Sequence, residues 1–173
     1  RRQRQMCIRD SSKTVLLVGG FAPGQSLWSI QQGFAALGYK VVYVPSRGVI
    51  AANREGDIEL AAEEADSIPG PEDWDLEYGD LSAYEEGLAG LIQQHRPELL
   101  LWWFSKDDCP AGLNASLRQR YPWLKTVTHT QDDPWDALRH PEFSQEFEFV
   151  VTCCKQRVAV YRERGIKAIV LYP

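Results

Sequence analysis

The sequence has no long apolar run, no excess of basic residues and only one methionine. A membrane-spanning helix needs about 20 consecutive apolar residues, and no stretch approaches that length. The formal net charge of -5 argues against a nucleic-acid surface, which requires clustered Lys and Arg to displace counterions from phosphates. The sequence therefore predicts a protein without a membrane span or a nucleic-acid partner.

The sequence also lacks a cysteine pattern that would indicate a disulfide framework or a zinc site. Cys7 and Cys109 are isolated, and Cys153 and Cys154 are adjacent, so no paired C-x-x-C motif occurs. We interpret the four cysteines as reduced packing residues of a cytoplasmic protein, because disulfides are rare in that compartment. A metal site is the minor alternative, and we expect neither a metal nor another cofactor.

Charge is unevenly distributed along the 173 residues. Four arginines crowd the first nine positions, whereas residues 55–86 carry thirteen acidic side chains and no Lys or Arg. We interpret residues 1–12 as a basic flexible tail. Residues 47–80 are rich in Pro, Gly and acids and are predicted to be an acidic loop or insertion, with a short surface helix over "DIELAAEEA" as an alternative within it.

The chain from residue 13 onward alternates strand and helix patterns. "KTVLLVGG" is a short apolar run that ends in glycines, as is typical of a strand buried on both faces. "SLWSIQQGFAALG" has apolar residues at helical spacing, with Ser26 as N-cap and Gly38 as C-terminal stop. "YKVVYVPS" follows as a second strand. A strand, helix and strand in succession predict parallel strands joined by a right-handed crossover.

The alternation continues to the end of the chain. Ser82 and Glu85 match a capping box at the start of a helix that Pro97 stops, and Asp107 or Asp108 is predicted to cap a later helix. Further strands are predicted over 98–104, 124–130, 148–153 and 167–173, and helices within 105–122 and over 155–165. Residues 13–173 are therefore predicted to be a single domain of the α/β class. We expect a doubly wound, Rossmann-like, mainly parallel sheet of about six strands with helices on both faces.

Ligands of such a sheet bind beyond the carboxyl ends of its strands, and the first of these ends is glycine-rich. In "GGFAPGQS", Gly19, Gly20 and Phe21 are candidates for contacts to a phosphate, since glycines allow close approach of an anion to the backbone and to a helix N-terminus. The loop lacks G-x-G-x-x-G and the Lys-Ser/Thr of a P-loop. A tight turn without a ligand is the alternative.

A second candidate site follows the strand over 124–130, in "HTQDDPWD". Pro134 excludes Asp133 from the helical region, so this carboxylate is held in an extended backbone. Asp132 and Asp133 are suited to hold a metal, to act as a general base or to accept sugar hydroxyls. The alternative is an Asx-type turn or an N-cap for "PWDAL".

Other polar and aromatic residues lie at the predicted strand ends. His129 is a candidate base, although strand alternation favours a packed histidine. Trp102 and Trp103 are interpreted as core residues, and stacking of such a strand-end ring on a sugar or a base is the alternative. His129, Gln131 and Ser105 are further candidates for contacts to a substrate.

The order of these motifs resembles the N-terminal half of GT-B glycosyltransferases, and most closely the CgeB-like group of spore maturation proteins. The resemblance covers residues 13–173 and rests on "VLLVGG", "LGYKV", "RPELLLWW", "TVTHTQDDPWD" and "FEFVVTCCKQRVAVYRERGIKAIVLYP". It implies an enzyme of two Rossmann-like domains, with the nucleotide-sugar donor held mainly by a C-terminal half that these residues do not include. Catalysis would then need that missing domain or a partner chain.

The resemblance also implies roles for individual residues. Gly19 and Gly20 would approach the donor diphosphate, and Asp133 or Asp132 would face the hydroxyl of an acceptor whose identity stays open. His129, Gln131 and Ser105 would contact that acceptor, and no metal is implied. The alternative function is a stand-alone Rossmann-like module that binds a nucleotide or a sugar without catalysis.

Overall fold

The structure is a computed structural model that describes residues 13–19, 26–45, 81–103, 109, 111–130 and 144–171. These residues form six strands and four helices. The strands are β1 (Thr14–Gly19), β2 (Lys40–Pro45), β3 (Leu99–Trp103), β4 (Lys125–Thr130), β5 (Phe149–Thr152) and β6 (Lys167–Val170). The helices are α1 (Ser26–Ala36), α2 (Leu81–His95), α3 (Leu113–Arg120) and α4 (Lys155–Glu163).

The six strands form one sheet in the order β2-β1-β3-β4-β5-β6. Every neighbouring pair is parallel, so the predicted α/β, Rossmann-like fold is confirmed. The chain runs outward from β1 to β2 and then returns past β1 to β3. The strand order therefore reverses between β1 and β3, which makes the crevice at their carboxyl ends the topological switch point of the sheet.

The sheet is covered on one side by α1, and this side is called the α1 face. Its central residues are Val15, Leu17, Tyr43 and Leu101, which pack with Leu27 of the helix. The whole of β1 is buried, as expected for a strand with covered faces on both sides. The apolar run "TVLLVG" is thus explained by its position in the interior of the sheet.

The opposite side of the sheet holds the larger core. Leu16, Leu88, Leu100 and Leu117 are each fully buried there, and the burial of such a side chain contributes roughly 1.5–3 kcal/mol. A smaller cluster around Val150 joins α4 to β5 and β6 on this side. Three helices therefore cover this side and α1 covers the other, among the helices that the structure describes.

Two predicted helix starts differ from the observed ones. Helix α2 begins at Leu81, so Ser82 lies inside its first turn, and the Glu85 carboxylate accepts a hydrogen bond of 2.6 Å from Ser116 Oγ. Helix α3 has Gly112 as its N-cap residue, so the predicted cap by Asp107 or Asp108 is wrong. No described side chain caps the first turn of α3, and Glu146 Oε1 accepts a hydrogen bond of 2.7 Å from the Gly112 N–H.

Charged groups line the amino edge of the sheet, opposite the switch point. Lys13 and Glu98 form an ion pair of 3.8 Å, and Lys40 Nζ lies 3.5 Å from His95 Nδ1. Partial burial, followed by the positive charge of Lys40, lowers the pKa of His95. The lowered pKa favours the neutral imidazole of His95 at pH 7, so its contact with Lys40 does not bring two positive charges together.

The described helices are all too short or too polar to cross a membrane. No disulfide joins the described cysteines Cys109, Cys153 and Cys154. Cys109 is buried in the larger core, as predicted for a packing cysteine. Cys7, the basic tail and the predicted acidic loop over 47–80 lie outside the described residues.

Candidate functional site at the switch point

The switch point is lined by a row of residues at the carboxyl ends of the strands. Gly19 pairs in register with Trp103, Trp103 pairs with His129, and His129 pairs with Val151. Residues paired in register share a face of the sheet, so all four lie on the α1 face. This row across four strands thus contains a glycine without a side chain, an indole, an imidazole and an aliphatic side chain.

Position 19 requires glycine because the backbone of β3 and a side chain of α1 lie close to it. A Cβ atom on Gly19 would lie 2.7 Å from the Trp103 carbonyl oxygen and 3.2 Å from both Trp103 Cβ and Leu27 Cδ2. The glycine therefore allows β1, β3 and α1 to converge at the end of β1. Its carbonyl oxygen accepts a hydrogen bond of 2.6 Å from the Tyr43 hydroxyl, which fixes the last peptide of β1 against β2.

Trp103 and His129 form a stacked pair beside this glycine. Their ring centroids are 3.9 Å apart and their planes differ by 14°. His129 is only 6% exposed, whereas Trp103 is half-buried at the edge of the α1-face cluster. The imidazole is thus almost fully covered, and the indole stacked against it is the more accessible ring of the pair.

Hydroxyl groups fix the next two strand ends. Thr130 Oγ1 donates a hydrogen bond of 3.3 Å to the Val151 carbonyl, which ties β4 to β5. Thr152 Oγ1 accepts a hydrogen bond of 3.0 Å from the Cys154 N–H, and Cys154 is the N-cap residue of α4. These bonds set the direction in which the chain leaves β5 and enters α4.

The structure brings together two of the residues predicted from the sequence. Gly19 and His129 lie in the same row, on either side of Trp103. The burial of His129 agrees with the packed interpretation, and its contact to an acceptor stays a prediction. The other candidates lie outside the described residues, and their roles stay predictions: Gly20, Phe21, Ser105, Gln131, Asp132 and Asp133.

Trp103 and Tyr43 belong to this site, but neither is among the site residues that the sequence favours. For Trp103, as for Trp102, the sequence favours a core residue, with stacking of the ring on a sugar or a base as the alternative, and it assigns Tyr43 only to a strand. Two features of the sequence point to Trp103. It is one of the last residues of its strand, and it lies on the opposite face of the sheet from Trp102, because successive side chains of a strand alternate between the faces. Trp102 is indeed a core residue, with 1% of its surface exposed.

The described residues contain no group of three or more His, Cys, Asp or Glu side chains that is suited to hold a metal ion. No protein-family model matches the chain, and no curated protein matches it. The fold and the residues at the switch point therefore carry the functional argument.

Replacement of Tyr43 by phenylalanine tests the bond that fixes the end of β1. We expect Tyr43→Phe to lower the free energy of unfolding by about 1 kcal/mol, because a buried carbonyl loses its hydroxyl donor. Urea denaturation measures this change. Tyr39→Phe is the matched control: Tyr39 packs against the same cluster, and its ring contacts Phe34 and Lys13. Equal stability of the wild-type and Tyr43→Phe proteins would contradict the prediction.

Proposed function

We propose that this chain is the N-terminal, acceptor-side domain of a GT-B glycosyltransferase of the CgeB-like group. The proposed enzyme moves a sugar from a nucleotide-sugar donor to an acceptor hydroxyl. The observation that supports this proposal best is the switch point of an all-parallel sheet. There the backbone of Gly19 is adjacent to the Trp103–His129 pair, in the crevice where open α/β sheets bind their ligands.

The proposed reaction assigns its proton transfer to a carboxylate. A bond forms between the acceptor oxygen and the anomeric carbon of the donor, the bond from that carbon to the diphosphate breaks, and the nucleoside diphosphate leaves. The hydroxyl proton passes to Asp133, with Asp132 as the alternative base. Both follow β4 in the sequence, and the last residues of β4, His129 and Thr130, end at the carboxyl edge of the sheet.

The proposal assigns most of the donor binding to a second Rossmann-like domain or a partner chain. Gly19 and Gly20 contribute the approach of the backbone to the donor diphosphate. His129, Gln131 and Ser105 contribute acceptor contacts. No metal takes part in the proposed reaction, and the cysteine pattern favours the cytoplasm as its compartment.

Transfer is tested with the protein encoded by the complete reading frame, incubated with nucleotide sugars and assayed for release of nucleoside diphosphate. We expect Asp133→Asn to reduce kcat by about 10²–10⁴-fold, the usual contribution of a general base. Donor binding measured by calorimetry should stay unchanged. Glu163→Gln is the control, because Glu163 is an exposed carboxylate at the end of α4.

Two results would contradict the proposal at different levels. Full turnover by both Asp133→Asn and Asp132→Asn would exclude the carboxylate base but not the transferase. Absence of transfer from every nucleotide sugar would exclude the transferase itself.

A stand-alone binding module is the second candidate function. It is favoured by the half-buried Trp103, because an aromatic face can bind a ring without any catalytic group. Calorimetric titration of the 173-residue chain with nucleotide sugars separates the two candidates. Clear donor binding by this chain favours the module, whereas the transferase proposal assigns the donor mainly to another domain.

A further inference from the structure

The two adjacent tryptophans of β3 have different surroundings. Trp102 is 1% exposed, and its indole N–H donates a hydrogen bond of 3.0 Å to Asn114 Oδ1. Trp103 is half-buried, and within the described part of the chain its ring contacts are to His129 and the α1-face cluster. Buried tryptophans usually satisfy their N–H within the protein. Trp102 follows this rule, whereas no described residue accepts a hydrogen bond from the Trp103 indole.

The Trp103 indole is nevertheless held in one orientation. The imidazole of His129 stacks against it at 3.9 Å. On the other side, Trp103 Cβ would lie 3.2 Å from a Cβ on Gly19, so the base of the side chain is packed against the backbone of β1. A half-buried aromatic ring with a fixed orientation loses little conformational entropy when it binds a ligand.

We propose that Trp103 forms the platform of a saccharide subsite at the switch point, and that His129 is the positioning residue of this platform. This inference rests on the proposed function, because a glycosyltransferase acceptor makes a saccharide the expected ligand. The acceptor is then a pyranose-containing molecule whose apolar ring face packs on the indole.

The chemistry of the indole suits such a ligand better than it suits a phosphate. Its face is apolar and binds the C–H groups of a sugar ring, and its N–H is a donor without acceptor capacity, which matches a ring or hydroxyl oxygen. Ligand sites typically combine such an apolar surface with a few fixed polar groups.

The platform is tested by NMR on the 173-residue chain, because each indole N–H gives its own resonance. The chain has six tryptophans, and the Trp103→Phe variant identifies the Trp103 signal. The probes are the methyl β-glycosides of glucose, galactose and N-acetylglucosamine, with glycerol as an open-chain polyol control. We expect saturable, millimolar binding of at least one glycoside that shifts the Trp103 signal, and no saturable shift with glycerol.

Variants separate the platform from simple packing, and their affinities are measured from backbone amide shifts, because the Trp103 variants lack the Trp103 indole signal. Trp103→Leu keeps an apolar side chain without a ring, and we expect it to weaken glycoside binding by about tenfold, the upper range for an aromatic contact. Trp103→Phe keeps a ring and should weaken binding less. Trp123→Leu is the matched control, since Trp123 is 43% exposed and precedes β4 at the amino edge. It should bind as the wild type does.

The positioning role of His129 is tested by two further variants. His129→Phe keeps a planar ring beneath the indole and should retain glycoside affinity, whereas His129→Ala removes the stack and should weaken binding. A purely structural role would lower the melting temperature of His129→Ala without changing its affinity. Equal affinity of His129→Ala and the wild type, in a folded protein, would overturn the assignment of His129.

The experiments can overturn the proposed saccharide platform and the proposed transferase activity independently of each other. If the complete protein transfers sugar but no glycoside moves the Trp103 signal, or if Trp103→Leu binds as tightly as the wild type, the platform is overturned and the transferase stands. If glycosides bind at Trp103 and no nucleotide sugar supports transfer, the platform stands and the binding module replaces the transferase.

Discussion

Replacement of Gly19 by alanine is expected to lower the free energy of unfolding by about 3 kcal/mol, the upper end of the usual cost of overpacking. The new methyl group would lie 2.7 Å from the Trp103 carbonyl oxygen. That oxygen belongs to the backbone of β3, which is paired with β1 on one side and β4 on the other. A flexible side chain could move aside, but a central strand cannot shift without loss of its hydrogen bonds.

Gly33→Ala is the matched control for this substitution. Gly33 lies inside α1, and apart from its chain neighbours and the nearby helix backbone nothing lies within 4 Å of the position that a Cβ would occupy there. Alanine is favoured over glycine in a helix interior by about 1 kcal/mol, so this variant should be more stable than the wild type. Opposite signs in urea denaturation would show that the cost at position 19 arises from the approach of β3. Equal stabilisation by both variants would contradict the prediction.

The Gly19→Ala substitution also affects the candidate site. The methyl group would lie 3.2 Å from Trp103 Cβ, so the base of the Trp103 side chain has to shift. We therefore expect the Trp103 indole signal of the folded variant to shift, while the signal of Trp123 at the opposite edge stays in place. This result would tie the glycine to the geometry of the aromatic pair as well as to stability.

The six strands could be predicted from the sequence because each is a short apolar or β-branched run between breakers. "TVLLVG" is buried along its whole length, and the alternating exposure of β6 fits an edge strand. The strand order was not predictable in the same way. Local patterns predict that β1 and β2 are joined by a right-handed crossover, but they do not indicate that β3 returns to the other side of β1.

The site was predicted only in part, for a related reason. The carboxyl ends of the strands could be named from the sequence, and Gly19 and His129 were identified in this way. The stacking of Trp103 on His129 depends on the register between β3 and β4. The period of a strand places Trp102 and Trp103 on opposite faces, but it does not indicate which face is fully covered at that end of the sheet. The difference between a core tryptophan and a half-buried one is thus a property of packing between distant segments.

The helix starts show the same limit. Helix α3 begins after Gly112, whose φ of 84° lies in the left-handed region that favours glycine. Its N–H is bonded to Glu146, which is distant in sequence. Aspartates close to a helix pattern are reasonable caps by propensity, but the observed N-cap is a left-handed glycine without a side-chain cap.

Replacement of Asn114 by leucine is the second substitution for which we expect a large effect, a loss of about 2 kcal/mol in the free energy of unfolding. Asn114 is fully buried. Its Oδ1 accepts the hydrogen bond from Trp102 Nε1, and its Nδ2 donates one of 2.9 Å to Cys109 Sγ. Leucine has a similar volume, so the main loss is that the buried indole N–H of Trp102 has no acceptor.

A double-mutant cycle with Trp102→Phe isolates this bond, since phenylalanine has no N–H to satisfy. We expect Asn114→Leu to cost less in the Trp102→Phe background, with a coupling of about 1 kcal/mol. Ser116→Ala is the control. Ser116 lies in α3, as Asn114 does, and its replacement removes an exposed hydrogen bond to Glu85 of α2. This variant should change stability by less than about 0.5 kcal/mol. Additive effects of the two core substitutions would exclude the Trp102–Asn114 bond as the source of the loss. Coupling would instead show that a polar bridge in the core fixes the buried tryptophan of β3, whose neighbour in the strand is the proposed saccharide platform.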